Sequence, residues 1–204
     1  MSFNVVIPAR LKSSRLKEKV LIEIHGIPMV IHVAQRASLS GAKNIVIATD
    51  DKKIAEVASH YNFKSVMTNK NHLSGTDRCL EASDISMWSD QDIIVNVQAD
   101  EPLIDPALID LVAKNVTESE SGYVTACSEF KSYKEFINPN NVKVVLDNHS
   151  HALYFSRSSI PYSSSKDLSH NNYAFHHLGI YAYRVKTLKK FCSFSISDLE
   201  RIER

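Results

Sequence analysis

Glycine is scarce in this chain, with 5 residues among 204. Neither G-x-G-x-x-G nor G-x-x-x-x-G-K-[ST] occurs in the sequence. The two commonest glycine-rich phosphate loops are therefore excluded, and the dinucleotide dehydrogenases that depend on the first are disfavoured. Any phosphate ligand must instead be held by Arg, Lys and Ser side chains together with backbone N–H groups.

The chain also has little net charge, no long apolar run and no pattern of paired cysteines. The formal net charge is +1, which argues against a general nucleic-acid binder. No run approaches the roughly 18 apolar residues of a membrane-spanning helix, and no signal-peptide pattern opens the chain, so we expect a cytoplasmic protein with no membrane partner. Cys79, Cys127 and Cys192 are widely scattered, which favours isolated thiols in a reducing compartment.

The chain opens with an apolar run rich in β-branched residues, from Phe3 to Ile7. This pattern predicts a buried strand. Pro8 follows it and cannot donate to a sheet ladder, so we expect the strand to end near that residue.

A basic loop follows this first strand, between Ala9 and Lys19. It carries five basic residues against one acid, Glu18, in a chain whose whole net charge is +1. Because α/β proteins bind ligands at the carboxyl edge of their sheet, the loop predicts a bound anion, and a triphosphate suits it best. A solvated basic loop is the alternative. The residues concerned are Arg10, Lys12, Arg15, Lys17 and Lys19, with the hydroxyls of Ser13 and Ser14.

Strand and helix patterns then alternate as far as residue 120. Predicted strands at 44–50, 64–68 and 92–100 alternate with predicted helices at 28–39, at 52–60, from residue 76 or 77, and at 106–116. This order predicts an α/β fold with a mostly parallel sheet and helices on both faces. Beyond residue 120 the apolar runs read as strands with few helices between them, which favours an inserted antiparallel segment.

Single residues predict several helix ends. Asp51 is expected to cap one helix, and Thr76 or Asp77 to begin another. Gly41 suits a helix C-cap, and Gly75 would allow a ligand to approach the backbone closely.

Two polar residues lie at the end of the strongest predicted strand, 92–100. Asp100 is expected at the same sheet edge as the basic loop, and a carboxylate beside a polyphosphate predicts a Mg²⁺ site. A turn residue before Pro102 is the alternative. Gln98 lies two residues earlier and offers an amide to a nucleobase edge, with a buried structural amide as the alternative.

Several motifs along almost the whole chain resemble those of the 3-deoxy-manno-octulosonate cytidylyltransferase family, the CMP-KDO synthetases. The least common of them outside that family are VNVQ-x-DEP, YFSR and HLGIY. The motifs are IPAR-x(4)-RL (7–16), H-x-S-G-T-[DE]-R (72–78), VNVQ-x-DEP (95–102), NPN-x-VKVV (138–145), ALYFSR-x-x-IP (152–161) and HLGIYAYR (177–184).

The resemblance implies transfer of CMP from CTP to KDO with release of pyrophosphate, assisted by Mg²⁺. It also implies a cytoplasmic homodimer that serves lipopolysaccharide biosynthesis. The implied fold is a Rossmann-like nucleotidyltransferase domain over residues 1–204. Its nucleotide-binding part is expected at 1–120, and its sugar-acid-binding and dimerisation part at 121–190.

Site residues follow from the same resemblance. It implies that the first loop holds the CTP phosphates, that Gln98 and the loop from Ser74 to Arg78 select cytosine, and that Asp100 is a metal ligand. Arg157 and His177 would face the sugar acid. The implied catalytic group is Arg10, Arg15, Lys19 and Asp100, and the implied nucleotide-binding group is Ala9, Arg10, Ser13, Ser14, Arg15, Lys19, Ser74, Arg78 and Gln98.

The chain departs from the family pattern at three places. Lys17 and Glu18 replace a Pro-Gly pair, and Ala99 replaces a glycine. Ser197 and Glu200 form a capping box that opens a helix shortly before the last residue. The resemblance implies that family members continue beyond this helix with a segment that carries a second metal-site aspartate, and the given sequence does not contain that segment. A cytidylyltransferase for sialic acid or 8-amino-KDO, or a nucleotide-binding but inactive form, remain the alternatives.

Overall fold

The computed structural model describes residues 2–11, 16, 18–162 and 174–203. Its strands are β1 (Asn4–Ala9), β2 (Glu23–Ile24), β3 (Ile27–Pro28), β4 (Asn44–Thr49), β5 (Lys64–Met67), β6 (Ile93–Asn96), β7 (Tyr123–Ser128), β8 (Lys143–Leu146), β9 (Ala152–Ser156) and β10 (Ala174–Arg184). Its helices are α1 (Met29–Ala37), α2 (Lys52–His60), α3 (Gly75–Ile85), α4 (Pro106–Glu118), α5 (Tyr133–Ile137), α6 (Val185–Cys192) and α7 (Asp198–Glu203).

The chain divides into two compact units. The first comprises Met1–Val124 and Ile180–Phe194, and the second comprises Thr125–Gly179 and Ser195–Arg204. The expected division of a single domain into a nucleotide-binding part (1–120) and a sugar-acid-binding part (121–190) remains a prediction. Among the described residues, no helix is both long enough and apolar enough to span a membrane.

The first unit contains the parallel part of the sheet. Its strand order is β5-β4-β1-β6, with parallel pairing throughout, and the second half of β10 runs antiparallel to β6. The side chains of Val5, Val6 and Ile7 in β1 are completely buried, because neighbouring layers cover both faces of a parallel sheet. The predicted α/β class with a mostly parallel sheet is confirmed.

Two strand ends differ from the prediction. β1 continues through Pro8 to Ala9, in register with Thr49 of β4. Because β6 pairs with β1 only as far as Val6, the proline lies where the strand has one partner, and an edge position tolerates a missing N–H. β6 itself ends at Asn96 rather than at residue 100.

Helix ends were predicted with mixed success. Asp51 caps α2 by accepting a hydrogen bond from the N–H of Lys53, as expected. Gly41 is not a C-cap, because α1 ends at Ala37 and Ser38 occupies that position. The N–H of Gly41 donates instead to the Asp110 carboxylate at 2.8 Å.

The second unit contains further antiparallel strands. The first half of β10 pairs with β8, and β8 pairs with β9, both antiparallel. The antiparallel strands agree with the expectation, but α5 within this unit and α6 in the first unit were not predicted. The signal for α6 was the helical spacing of apolar residues in VKTLKKFC, in which the buried Val185 and Leu188 lie three positions apart.

Candidate active site

The first loop begins where β1 leaves the sheet. Ala9 is completely buried at the end of the strand, and Arg10 directly after it is exposed. Ser13, Ser14 and Arg15 lie outside the described residues, as do Lys12 and Lys17. The described part of the loop thus presents the Arg10 side chain at the carboxyl edge of the parallel strands.

Lys19 and Asp100 meet at this edge. The Lys19 ammonium donates to the Asp100 carboxylate, with Nζ and Oδ2 2.5 Å apart, and both side chains remain more than a third exposed. Lys19 is the first residue of a short 3₁₀ helix, Lys19–Leu21, and Glu18, the residue before it, has a φ of 51°. The site therefore holds a basic and an acidic group in contact, and both remain accessible to a ligand.

Glu101 adds a second carboxylate beside Asp100. Partial burial and the neighbouring charge of Asp100 raise the pKa of Glu101. Carboxylate oxygens are the ligands that hard divalent cations prefer. Among the described residues, no group of three or more His, Cys, Asp or Glu side chains is arranged to hold a metal ion.

The loop before α3 is fixed by its own helix. Ser74 caps α3, and a capping box joins it to Asp77: the Ser74 hydroxyl accepts from the Asp77 N–H, and the Asp77 carboxylate accepts from the Ser74 N–H, each at 3.1 Å. The helix therefore begins at Gly75, earlier than predicted. A Cβ on Gly75 would lie 3.2 Å from the Pro8 ring, so the close approach observed at this glycine is to Pro8.

Glu81 fixes the same loop one turn further along. Its carboxylate accepts from the N–H of Asn69 at 2.7 Å and makes a short hydrogen bond with the ring of His72. Burial raises the pKa of Glu81, but the Asn69 N–H and the His72 ring lower it, and the net direction is downward. Glu81 was not among the predicted site residues, although its position one helical turn after Asp77 places the two carboxylates on neighbouring parts of the helix surface.

Arg78 lies inside the protein, with 3% of its surface exposed. Its guanidinium donates to the Thr68 hydroxyl and lies 3.4 Å from an Asp50 oxygen. The other oxygen of Asp50 is buried, and it has no hydrogen-bond partner among the described residues. In this structure Arg78 joins the ends of β4 and β5 to α3 rather than reaching solvent.

Gln98 follows β6 and is half-buried. Its amide donates to the side-chain oxygen of Asn96 at 3.3 Å. Ala99, at the position where the family pattern has glycine, is buried with 5% exposure, so its methyl group faces protein rather than solvent.

Arg157 and His177 both belong to the second unit. The Arg157 guanidinium donates to the carbonyl oxygen of Pro139 at 3.0 Å. A ring nitrogen of His177 lies 2.9 Å from the Thr125 hydroxyl, and the ring packs edge-on against Phe155. Burial, reinforced by the neighbouring His176, lowers the pKa of His177 to about 4, so its ring is neutral at pH 7.

Comparison with known proteins identifies the family of the chain. The cytidylyltransferase family model matches residues 4–204. A curated protein from a Nitratiruptor species, named 3-deoxy-manno-octulosonate cytidylyltransferase, is 47% identical over 98% of this chain and 83% of its own length. A relative of the same name from Neisseria meningitidis serogroup C is 44% identical over 98% of this chain and 82% of its own length.

Solved structures agree with this result. The structure of CMP:2-keto-3-deoxy-manno-octonic acid synthetase complexed with CTP superposes with a TM-score of 0.88 at 35% identity, covering 99% of this chain and 81% of the other. A cytidylyltransferase from Leptospira borgpetersenii superposes with a TM-score of 0.61 at 19% identity, covering 98% of this chain and 67% of the other, and shows the shared fold alone.

Proposed function

The chain belongs to the family of 3-deoxy-manno-octulosonate cytidylyltransferases, and on this premise we propose that it joins CMP from CTP to KDO, releasing pyrophosphate. The relatives named for this activity align along nearly the whole chain. Within the structure, the contact between Lys19 and Asp100 supports the proposal most directly. It places a phosphate-binding type of side chain beside a metal-binding type at the carboxyl edge of the sheet.

The reaction is an in-line displacement at phosphorus. The anomeric hydroxyl of KDO attacks the α-phosphorus of CTP, a new O–P bond forms, and the bond between the α-phosphorus and the bridging oxygen breaks. The hydroxyl proton leaves to solvent or to a bound base, and pyrophosphate departs with the electron pair of the broken bond. Such transfer depends on positioning and charge neutralisation more than on covalent catalysis.

The first loop is proposed to bind the triphosphate. Arg10, Arg15 and Lys19 supply positive charge to the phosphate oxygens, with the hydroxyls of Ser13 and Ser14 and the backbone at Ala9. Guanidinium groups can bind two oxygens at once, whereas the Lys19 ammonium acts as a compact charge. Gln98 and Ser74 are proposed to face the base. Arg78 is proposed to act there by holding the loop that carries Ser74, since it is buried.

Mg²⁺ fits the acidic residues at the same edge. Asp100 and the adjacent Glu101 supply carboxylate oxygens, and Mg²⁺ commonly takes one or two carboxylates with substrate phosphates. Asp100 is the proposed ligand, because its carboxylate is more than a third exposed and contacts a lysine that a phosphate can also bind. When bound, the ion would neutralise phosphate charge that develops during the transfer.

The acceptor is proposed to bind in the second unit, through Arg157 and His177. Arg157 carries a permanent charge for the acid group of the sugar. His177 is neutral at pH 7 because its pKa is lowered to about 4, so it can exchange hydrogen bonds with sugar hydroxyls but cannot act as a cation. The finer features proposed from the family resemblance are a cytoplasmic homodimer and a role in lipopolysaccharide biosynthesis.

Pyrophosphate release tests the proposal. The protein is incubated with CTP and Mg²⁺, and KDO, 8-amino-KDO and sialic acid are supplied as separate acceptors. We expect release that depends on KDO. Release with another acid alone would transfer the proposal to that sugar, and no release with any acceptor would contradict it. Light scattering in the same buffer would show whether the protein is a dimer.

A further inference from the structure

The carboxylate of Glu203 gathers three donors at the end of β9. It accepts hydrogen bonds from the Tyr154 hydroxyl at 3.1 Å, the Ser156 hydroxyl at 2.6 Å and the N–H of Arg157 at 3.0 Å. Ser156 is buried with 3% exposure. These contacts join α7 to the segment that ends in Arg157, although 46 positions separate Glu203 from Arg157 in the chain.

Arg157 is held from its other side by Lys143. The Lys143 ammonium donates to the carbonyl oxygens of Arg157 at 2.7 Å and of Asn138 at 2.9 Å, and its side chain is completely buried. The guanidinium donates to the carbonyl of Pro139, in the same turn as Asn138. Both peptide groups of Arg157 and its side chain are therefore fixed by neighbouring atoms.

These contacts leave the charge of the guanidinium available. Glu203 meets Arg157 at the backbone N–H, and no carboxylate forms a salt bridge with the Arg157 side chain in the described part of the chain. The acceptors of Lys143 are neutral carbonyls. Burial, reinforced by the nearby Arg157, lowers the pKa of Lys143.

We propose that Glu203 is a positioning residue for the acceptor acid, which holds the Arg157 backbone so that its guanidinium is preorganised for the carboxylate of a sugar acid. The inference rests on the proposed function, because it assumes that Arg157 binds the acceptor. A side chain held in its binding geometry loses little conformational entropy when the ligand arrives. Removing the Glu203 carboxylate would free the backbone and weaken acceptor binding while CTP binding stays unchanged.

The test measures KM for KDO and KM for CTP in parallel. Glu203→Ala is expected to raise KM for KDO by about tenfold, as for loss of a charge-assisted hydrogen bond, and to leave KM for CTP unchanged. Glu203→Gln keeps an acceptor for the Arg157 N–H, so it should recover most of the affinity. Asp198→Ala is the matched control, because Asp198 lies exposed on the same helix and pairs with Arg201 at 3.1 Å. It should match the wild type.

A double-mutant cycle separates positioning from general stability. In an Arg157→Ala background, Glu203→Ala should cause no further rise in KM for KDO, because the guanidinium that it positions is gone. An equal rise in both backgrounds, a parallel rise in KM for CTP, or an unchanged KM for KDO would overturn the inference. If Glu203→Ala does not fold, Glu203→Asp replaces it in the cycle.

Failure of the proposed function would look different. It would appear in the wild type, as absence of pyrophosphate release with KDO, before any variant is compared. If the wild type uses another acid, the same cycle is run with that acid. If the wild-type protein releases pyrophosphate with none of the three acceptors, both proposals are overturned.

Discussion

The Lys19 ammonium and the Asp100 carboxylate lie 2.5 Å apart although they are 81 positions apart in the chain. The sheet explains their meeting: Lys19 follows β1, Asp100 follows β6, and the two strands are parallel neighbours. Since both side chains are more than a third exposed, the pair adds little to stability. Its position is of interest for catalysis rather than for folding.

Asp100→Asn should therefore abolish turnover without unfolding the protein. The amide keeps the shape of the side chain but loses the charge that attracts Lys19 and a divalent cation. We expect pyrophosphate release to fall by about 100-fold or more, as when a charge-stabilising group is removed from an active site. The free energy of unfolding, measured with urea, should change by less than about 1 kcal/mol.

Asp90 provides the matched control for Asp100. Its carboxylate pairs with Lys189 at 2.8 Å, and both side chains are comparably exposed. Asp90→Asn should leave pyrophosphate release at the wild-type level. Wild-type turnover in Asp100→Asn, or equal losses in the two variants, would contradict the assignment of Asp100 to the active site.

The parallel half of the fold was predictable because its strands are buried on both faces. Runs such as the one around Val5 and Val6 leave few alternatives to a central strand. Since the carboxyl ends of parallel strands meet at one edge of a sheet, the sequence predicts that Asp100 and the basic loop lie together at that edge.

Contacts that depend on distant partners were not predictable. Arg78 has the side chain of a phosphate-binding residue, and only the structure shows that it is buried against Thr68 and Asp50. Glu203 likewise lies in a short polar helix, and nothing local indicates that it meets Arg157. Periodicity predicts which face of an element is buried, but it does not predict the partners of a single polar group.

Arg78→Ala should destabilise the protein. The substitution leaves the Asp50 carboxylate partly buried without its cation, and breaking such a pair costs about 3 kcal/mol. Urea unfolding would measure the loss. Arg201→Ala is the control, because Arg201 forms an exposed pair with Asp198, and it should cost less than about 1 kcal/mol. Unchanged stability together with weaker CTP binding in Arg78→Ala would show that Arg78 contacts the nucleotide directly.

Glu18→Gly should stabilise the first loop. Glu18 adopts a φ of 51°, a left-handed conformation that costs a residue with a Cβ atom roughly 1–2 kcal/mol. Glycine avoids this cost but loses more entropy on folding, so we expect a net gain of up to about 1 kcal/mol in the free energy of unfolding. Glu18→Ala is the control: it also removes the exposed pair with Lys53 but keeps Cβ, and it should give no gain. A destabilised Glu18→Gly protein would contradict the argument.

Protonation of His177 should make the protein sensitive to acid. Burial and the neighbouring His176 lower the pKa of His177 from 6.5 in the unfolded chain to about 4 in the folded protein. The unfolded state therefore binds more protons between these two values, and stability falls as the pH drops from about 6.5 towards 4. Above pH 6.5 the ring is neutral in both states, so the contribution is fully present.

His177→Gln tests the direction of this pH dependence of stability. Glutamine does not titrate but can keep a hydrogen bond with Thr125, so the variant should lose less stability than the wild type between pH 7 and pH 5. Urea unfolding at pH 7, 6 and 5 measures the two slopes. His149→Gln, which replaces an exposed histidine of the same unit, should retain the wild-type slope. Parallel curves for His177→Gln and the wild type would contradict the lowered pKa, and with it the view that His177 meets the acceptor as a neutral ring.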